Sequence, residues 1–278
     1  AQEDAVVAPL ATHLLELLNQ DERGVFRRLK VMKLRQARTK RRKAAAKPAP
    51  VDEGNKANIA PVGKVAKTTP SWGVVSTIKA PLRDIQRFAA HHLAEGASRI
   101  YIYLDDPQPD QIAALSAHPN IDVTACDAAY WAAQPRPRMA THQQRQVFNA
   151  TQAYARCDLD WLAHFDVDEF LLSPSPLAEL LVKASPQSAF VLLPPAEALA
   201  PVDATGSPEH FKLTARAAGL PSEVLATVYP TFGEHLRGGF ISHLEGKVIA
   251  RTGIKNTRLG IHAFLHDGAP ATNKSMLD

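Results

Sequence analysis

An α/β fold with a mostly parallel central sheet and helices on both faces is what the order of elements in this sequence predicts. Short apolar runs alternate with amphipathic stretches between 72 and 193, and such alternation implies right-handed crossovers between parallel strands. Beyond Pro194 the pattern frays into Pro-rich loops with two strand-like pieces, so an irregular α+β part should follow. At the centre stands 160–172, where an apolar run from Trp161 to Phe165 meets three carboxylates, Asp166, Asp168 and Glu169.

The elements follow in order. Trp72–Ile78 is apolar and β-branched, and reads as the first strand. Pro81 suits the start of a helix over 82–95, with Ile85, Phe88, Ala89 and His92 on one face, and Gly96 stops it. Arg99–Leu104 is a second strand, ending in Asp105 and Asp106; 109–117 reads as a short helix and Ile121–Ala125 as a third strand. A helix over 141–156 delivers the chain to the central strand at Trp161. Helix 176–184, strand 189–193 and strand-like pieces at 211–214 and 247–250 complete the pattern.

Charge divides the chain. Twelve Lys or Arg between 23 and 47 face only five acids in the whole of 1–47, giving that arm +7, while the remainder carries 20 basic against 23 acidic residues. Leucines at helical spacing (Leu10, Leu14, Leu17, Leu18) accompany the basic run. The arm, 1–47, reads first as a solvated, partly disordered basic helix; peripheral contact with an anionic membrane surface is its functional reading. Nucleic acid ranks last, because no aromatic residue interleaves the charges. A Pro-rich linker (48–70), a folded domain (71–267) and a tail (268–278) follow. No run approaches the ~20 apolar residues of a membrane span. Two lone cysteines, Cys126 and Cys157, have no metal or redox spacing and read as buried free thiols, which points to a cytoplasmic setting.

In an extended strand end, residues i and i+2 share a face, which predicts that Asp166 and Asp168 point together. Two such oxygen ligands at the carboxyl end of a strand suit Mg2+ or Mn2+ held against phosphate. A solvated strand end or a helix cap accounts for the same spacing, and a second Asp-x-Asp, at Asp158 and Asp160, reads only as loop. His91 and His92 read as helix packing and His164 as a core histidine.

Several segments, in order, resemble bacterial family 2-like glycosyltransferases, in the branch related to the GT92 group. They are the first strand and its helix with His91-His92; Arg99-Ile-Tyr-Ile-Tyr followed by Asp105-Asp106; His142-Gln-Gln-Arg145; Asp160-Trp-Leu-Ala-His-Phe-Asp-Val-Asp-Glu-Phe-Leu; Gly246-Lys-Val-Ile-Ala-Arg251; and Ile261-His-Ala-Phe-Leu-His266. The resemblance implies a GT-A fold over about 71–266. It also implies metal-dependent, inverting transfer of a sugar from a nucleoside-diphosphate sugar to a glycan or lipid-linked acceptor, as in polysaccharide biosynthesis. The DxD pair Asp166 and Asp168, with His262 as third ligand, would hold Mn2+ or Mg2+. Thr77, Lys79 and Asp105 would lie by the base and ribose, and Arg145, Lys247 and Arg251 by the phosphates. Glu234 is the favoured carboxylate base over Glu197 and Glu209. Where the family has Asn-Glu after the first strand this chain has Lys79-Ala80-Pro81, with Asp84 as the nearest acid; that departure opens a second reading, a sugar-nucleotide-binding module without turnover.

Overall fold

A computed structural model describes residues 68–201, 208–221, 223–229 and 238–276, together with 9, 12, 13, 16, 20 and 236. The chain divides into two compact units, 1–54 and 55–278. In the first, Pro9, Thr12, His13 and Glu16 are helical; the basic run and the linker to 67 lie outside the described residues.

The second unit is built on a seven-stranded sheet. Its strands in chain order are β1 (Trp72–Ile78), β2 (Arg99–Leu104), β3 (Ile121–Ala125), β4 (Trp161–His164), β5 (Phe190–Leu193), β8 (Lys247–Arg251) and β12 (Lys274–Met276). Across the sheet they lie in the order β12-β5-β8-β4-β1-β2-β3. β3, β2, β1 and β4 run parallel, as do β5 and β12, while β8 is antiparallel to both neighbours, β4 and β5. The sheet is therefore largely parallel, as alternation predicts, with one reversed strand in its middle. Strand β12 pairs with β5 inside the segment 268–278 read from sequence as a tail, so the sheet extends past the boundary expected at 267.

Helices cover both faces. The even-numbered side of β1 (Trp72, Val74, Ile78) packs with Ile100, Ile102 and Leu104 of β2 beneath α1 (Leu82–Ala94), α2 (Pro109–Ser116) and α5 (Leu177–Lys183). The other side (Val75, Tyr101, Tyr103, Leu162, Val248, Ala250) packs under α3 (Ala128–Ala132) and α4 (His142–Arg156). Strands β9 (Thr257–Leu259) and β10 (Phe264–His266) close that face with Leu259 and Phe264, and β10 continues to β11 (Ala269–Pro270). Each large side chain buried here contributes about 1.5–3 kcal/mol.

Local chemistry explains the helix ends. Thr141 and Gln144 form a reciprocal capping box at the start of α4, and Asp127 caps α3, a helix that periodicity alone does not reveal. α1 stops at Gly96, whose φ of +94° a residue with a Cβ rarely adopts. β6 (Ala196–Ala198) pairs with β7 (Phe211–Leu213) apart from the main sheet, and α6 spans Val224–Val228. Among the described residues, no helix is long and apolar enough to cross a membrane.

Candidate functional site

Chain order reverses direction across the sheet at β1, which lies between β2 and β4. In open sheets a ligand crevice forms at such a switch point, outside the carboxyl ends of the strands. Residues 77–79, Asp105 and 165–169 follow or end β1, β2 and β4 at that edge. Because β8 runs the other way, its first residue, Lys247, arrives there too.

At this edge four side chains converge. The Lys247 ammonium donates to Asp166 Oδ2 at 2.8 Å and is 2.9 Å from Glu169 Oε2. Gln146 of α4 donates from Nε2 to the other oxygen, Asp166 Oδ1. The Lys247 side chain is 11% exposed, against 32% and 38% for Asp166 and Glu169. Burial alone would raise the Asp166 pKa, but the Lys247 charge and hydrogen bond outweigh it and hold the carboxyl below its usual range. For Glu169 burial wins, and its pKa is raised despite Lys247. The lysine is delivered by Gly246. A Cβ there would lie 1.9 Å from Leu193 O, so β8 can start this close to β5 only with glycine.

The strand geometry on which the expected shared face of Asp166 and Asp168 rests does not reach them. β4 ends at His164, and 166–169 is a turn closed by Glu169 N–H to Asp166 O (3.0 Å) and Asp166 N–H to Glu169 Oε2 (2.9 Å). Strand alternation therefore no longer applies, and Asp168 is exposed. His262 lies nearby with Nδ1 at 3.2 Å from Gly246 O; a carbonyl only accepts, so Nδ1 carries the proton. Among the described residues no three or more His, Cys, Asp or Glu side chains are arranged to hold a metal ion. Asp166, Asp168 and His262 are thus not gathered into a group that fits Mn2+ or Mg2+ as arranged, and the Lys247 ammonium stands against Asp166 where a metal would.

Asp105 is equally well placed at the end of β2 but is closed off. Arg145 grips it at both oxygens (Nε to Oδ1, 2.7 Å; Nη2 to Oδ2, 2.6 Å), Arg138 adds a bond of 3.0 Å, and His142 Nδ1 lies 3.3 Å away. Burial pushes its pKa up, but these hydrogen bonds prevail and hold it at about 2. The other Arg145 terminal nitrogen donates to Met139 O and Ala140 O. Both residues are engaged with protein partners rather than turned to an open cleft; together they staple the loop 133–141 to β2.

The remaining expected residues scatter. Thr77 is buried and accepts from Asn149 Nδ2 at 3.1 Å. Lys79 is exposed and paired with Asp106 at 2.9 Å. Arg251 shares the face of Lys247 but lies at the opposite end of β8, 4.2 Å above the Trp161 ring, donating to Ser188 O and Ser185 O. Glu197 accepts from Ile241 N and Ser242 N and pairs with Lys212 at 2.8 Å, so it anchors a turn. Glu234 lies outside the described residues, and Asp84 is exposed in the first turn of α1.

Sequence reading assigns no role to two contributors, although Asn149 follows Phe148 in the helix that carries the family resemblance. Gln146 and Asn149 are buried polar residues on the α4 face that also carries Ala150 and Ala153. A polar pair three apart on an otherwise apolar helix stripe is the signal that marks them. His164 is fully buried, with Nδ1 at 2.9 Å from Gly260 O and Nε2 without a hydrogen-bond partner; burial holds its pKa well below the ordinary histidine range.

No family model and no curated protein matches the chain. Among solved structures, the mannosyltransferase PcManGT from Pyrobaculum calidifontis, in complex with GDP-Man and Mn2+, is similar with a TM-score of 0.32 at 12% identity. The match covers 47% of this chain and 39% of that one, so it spans under half of the neighbour's length.

Proposed function

We propose that the unit containing 71–267 is a GT-A-type glycosyltransferase that moves a sugar from a nucleoside-diphosphate sugar to a glycan or lipid-linked acceptor, with inversion. The observation that supports it is the convergence of Asp166, Glu169 and Lys247 at the carboxyl edge beside the β1/β4 switch point. In the transfer, the acceptor hydroxyl oxygen bonds to the anomeric carbon. The bond from that carbon to the diphosphate breaks, and the diphosphate leaves with the electron pair. Negative charge therefore grows on the leaving oxygens, and a fixed cation at the edge stabilises it. The hydroxyl proton goes to a carboxylate base, for which Glu234 is the proposed residue. The basic arm is proposed to keep the enzyme at an anionic membrane surface, on the cytoplasmic side.

A thermal-shift screen with UDP, GDP, CDP and dTDP, each with and without MnCl2, tests the donor site. One nucleotide should stabilise the protein, by about 2.7 kcal/mol at a hundredfold excess over its Kd. Asp166→Asn should lose that stabilisation, because the variant no longer anchors Lys247. No shift with any nucleotide in either buffer overturns the reading. Lys79-Ala80-Pro81, with Lys79 bound to Asp106, favours one alternative, a binding module without turnover. Stabilisation without donor hydrolysis or transfer would select it.

A further inference from the structure

We propose that Lys247, rather than a divalent ion, is the cation that faces the donor diphosphate in this chain. The proposal rests on the donor-site reading above and deepens it. Three observations support it.

First, the lysine already stands where the acidic turn would ligate a metal: its ammonium bridges Asp166 Oδ2 and Glu169 Oε2 at 2.8 and 2.9 Å. Gln146 donates to the other oxygen, Asp166 Oδ1, so a metal at Asp166 would share the carboxylate with two donors and stand against the ammonium's positive charge. Second, the lysine is built in. Its side chain is nearly buried and β8 is hydrogen-bonded on both sides. Gly246 sets the strand's start against Leu193, and the His262 Nδ1–H bond to Gly246 O fixes the same peptide. Moving the ammonium away would leave a charge without its partners in a poorly solvated place, which is costly. Third, an ammonium has three N–H donors, and the two carboxylates take two of them. In this proposal the third meets a phosphate oxygen, which a lysine recognises as a point charge.

Two titrations test this. In the first, nucleoside diphosphate (UDP, GDP, CDP and dTDP) is titrated into wild type, Lys247→Arg and Lys247→Met, in EDTA and in MnCl2. The wild-type affinity should agree within about twofold between the buffers. Lys247→Arg should keep EDTA-resistant binding, and Lys247→Met should lose about tenfold or more in EDTA. In the second, MnCl2 alone is added to the full chain and free Mn2+ is read by its electron paramagnetic resonance signal. Wild type should take up none at this edge, whereas Lys247→Met, which frees Asp166 and Glu169, should gain an ion that Asp166→Asn removes from the double variant.

Nucleotide binding by wild type only in MnCl2 overturns the proposal and leaves the donor site standing, as does Mn2+ uptake by wild type that Asp166→Asn abolishes. No nucleotide binding by wild type in either buffer removes the donor reading, and with it this proposal. If Lys247→Met does not fold, the wild-type and Lys247→Arg measurements still decide.

Discussion

Asp105 and Asp166 occupy equivalent places, each just beyond the carboxyl end of a parallel strand, and each is paired with basic side chains. Asp105 is saturated: two guanidiniums and an imidazole surround a carboxylate only 3% exposed. Asp166 is paired with one lysine and one amide, is 32% exposed, and is followed by the exposed Asp168. The difference lies in where the partners come from. Arg138 and Arg145 belong to a loop and a helix that fold back over β2 and close its end. Lys247 enters from a reversed strand within the sheet itself, so Asp166 and Glu169 stay partly exposed. A carboxylate at a strand end is thus closed off or left partly exposed according to what covers it.

The closed end should carry the larger stability. Arg145→Met leaves the nearly buried Asp105 without its bidentate partner, and breaking such a pair costs about 3–5 kcal/mol. Arg138 and His142 remain, so the lower figure is expected. Urea unfolding at neutral pH measures it, and nucleotide affinity of the folded variant should be unchanged. Acid sharpens the comparison. Asp105 has a folded-state pKa of about 2, below its ordinary unfolded value of about 3.9. The unfolded state therefore binds the proton first, and the stabilisation is fully present above about pH 4 and lost as pH falls towards 2. Arg145→Met should flatten that part of the stability profile. A profile identical to wild type would show that the staple is not what holds Asp105 ionised.

Much of this was legible in the sequence. Alternating apolar runs place β1 to β5 within a residue or two, and the Asp-Val-Asp-Glu block falls at the sheet edge where Lys247 also arrives. The details that failed have physical causes. Strand alternation tells which face Asp166 and Asp168 share only while the strand continues, and β4 ends at His164. Periodicity shows that Lys247 and Arg251 share a face, but only pairing shows which end of the sheet each occupies. Four residues of extended chain put them about 13 Å apart. Arg145 was indistinguishable from a phosphate ligand, because the folding of loop 133–141 onto Asp105 is a tertiary event. Short strands such as β6, β7 and β9 to β12 carry too few residues for a period to be read.

The open end can be disturbed without touching a charge. Gly246→Ala would place a methyl group against Leu193 O, and the backbone of β8 or β5 has to shift to admit it. A loss of about 1–3 kcal/mol is expected, as for other overpacked positions. Since Lys247 is the next residue, nucleotide affinity should fall with it, whereas Arg145→Met lowers stability alone. Equal affinity in Gly246→Ala and wild type would mean that the start of β8 does not position the lysine.

The smallest effect should come from the other end of the same strand. Arg251 stacks on Trp161 and donates to two carbonyls, yet all of these contacts lie at the amino edge of β4, away from Asp166. Arg251→Met keeps the aliphatic stem on the indole and removes the cation–π and hydrogen-bond contributions, together about 1 kcal/mol. Thermal unfolding should register that loss. Nucleotide titration should register nothing, although Arg251 and Lys247 are both basic, share one face and bracket a five-residue strand. A drop in affinity comparable to that of Lys247→Met would place phosphate recognition at both ends of β8, which a single ligand at the carboxyl edge cannot produce.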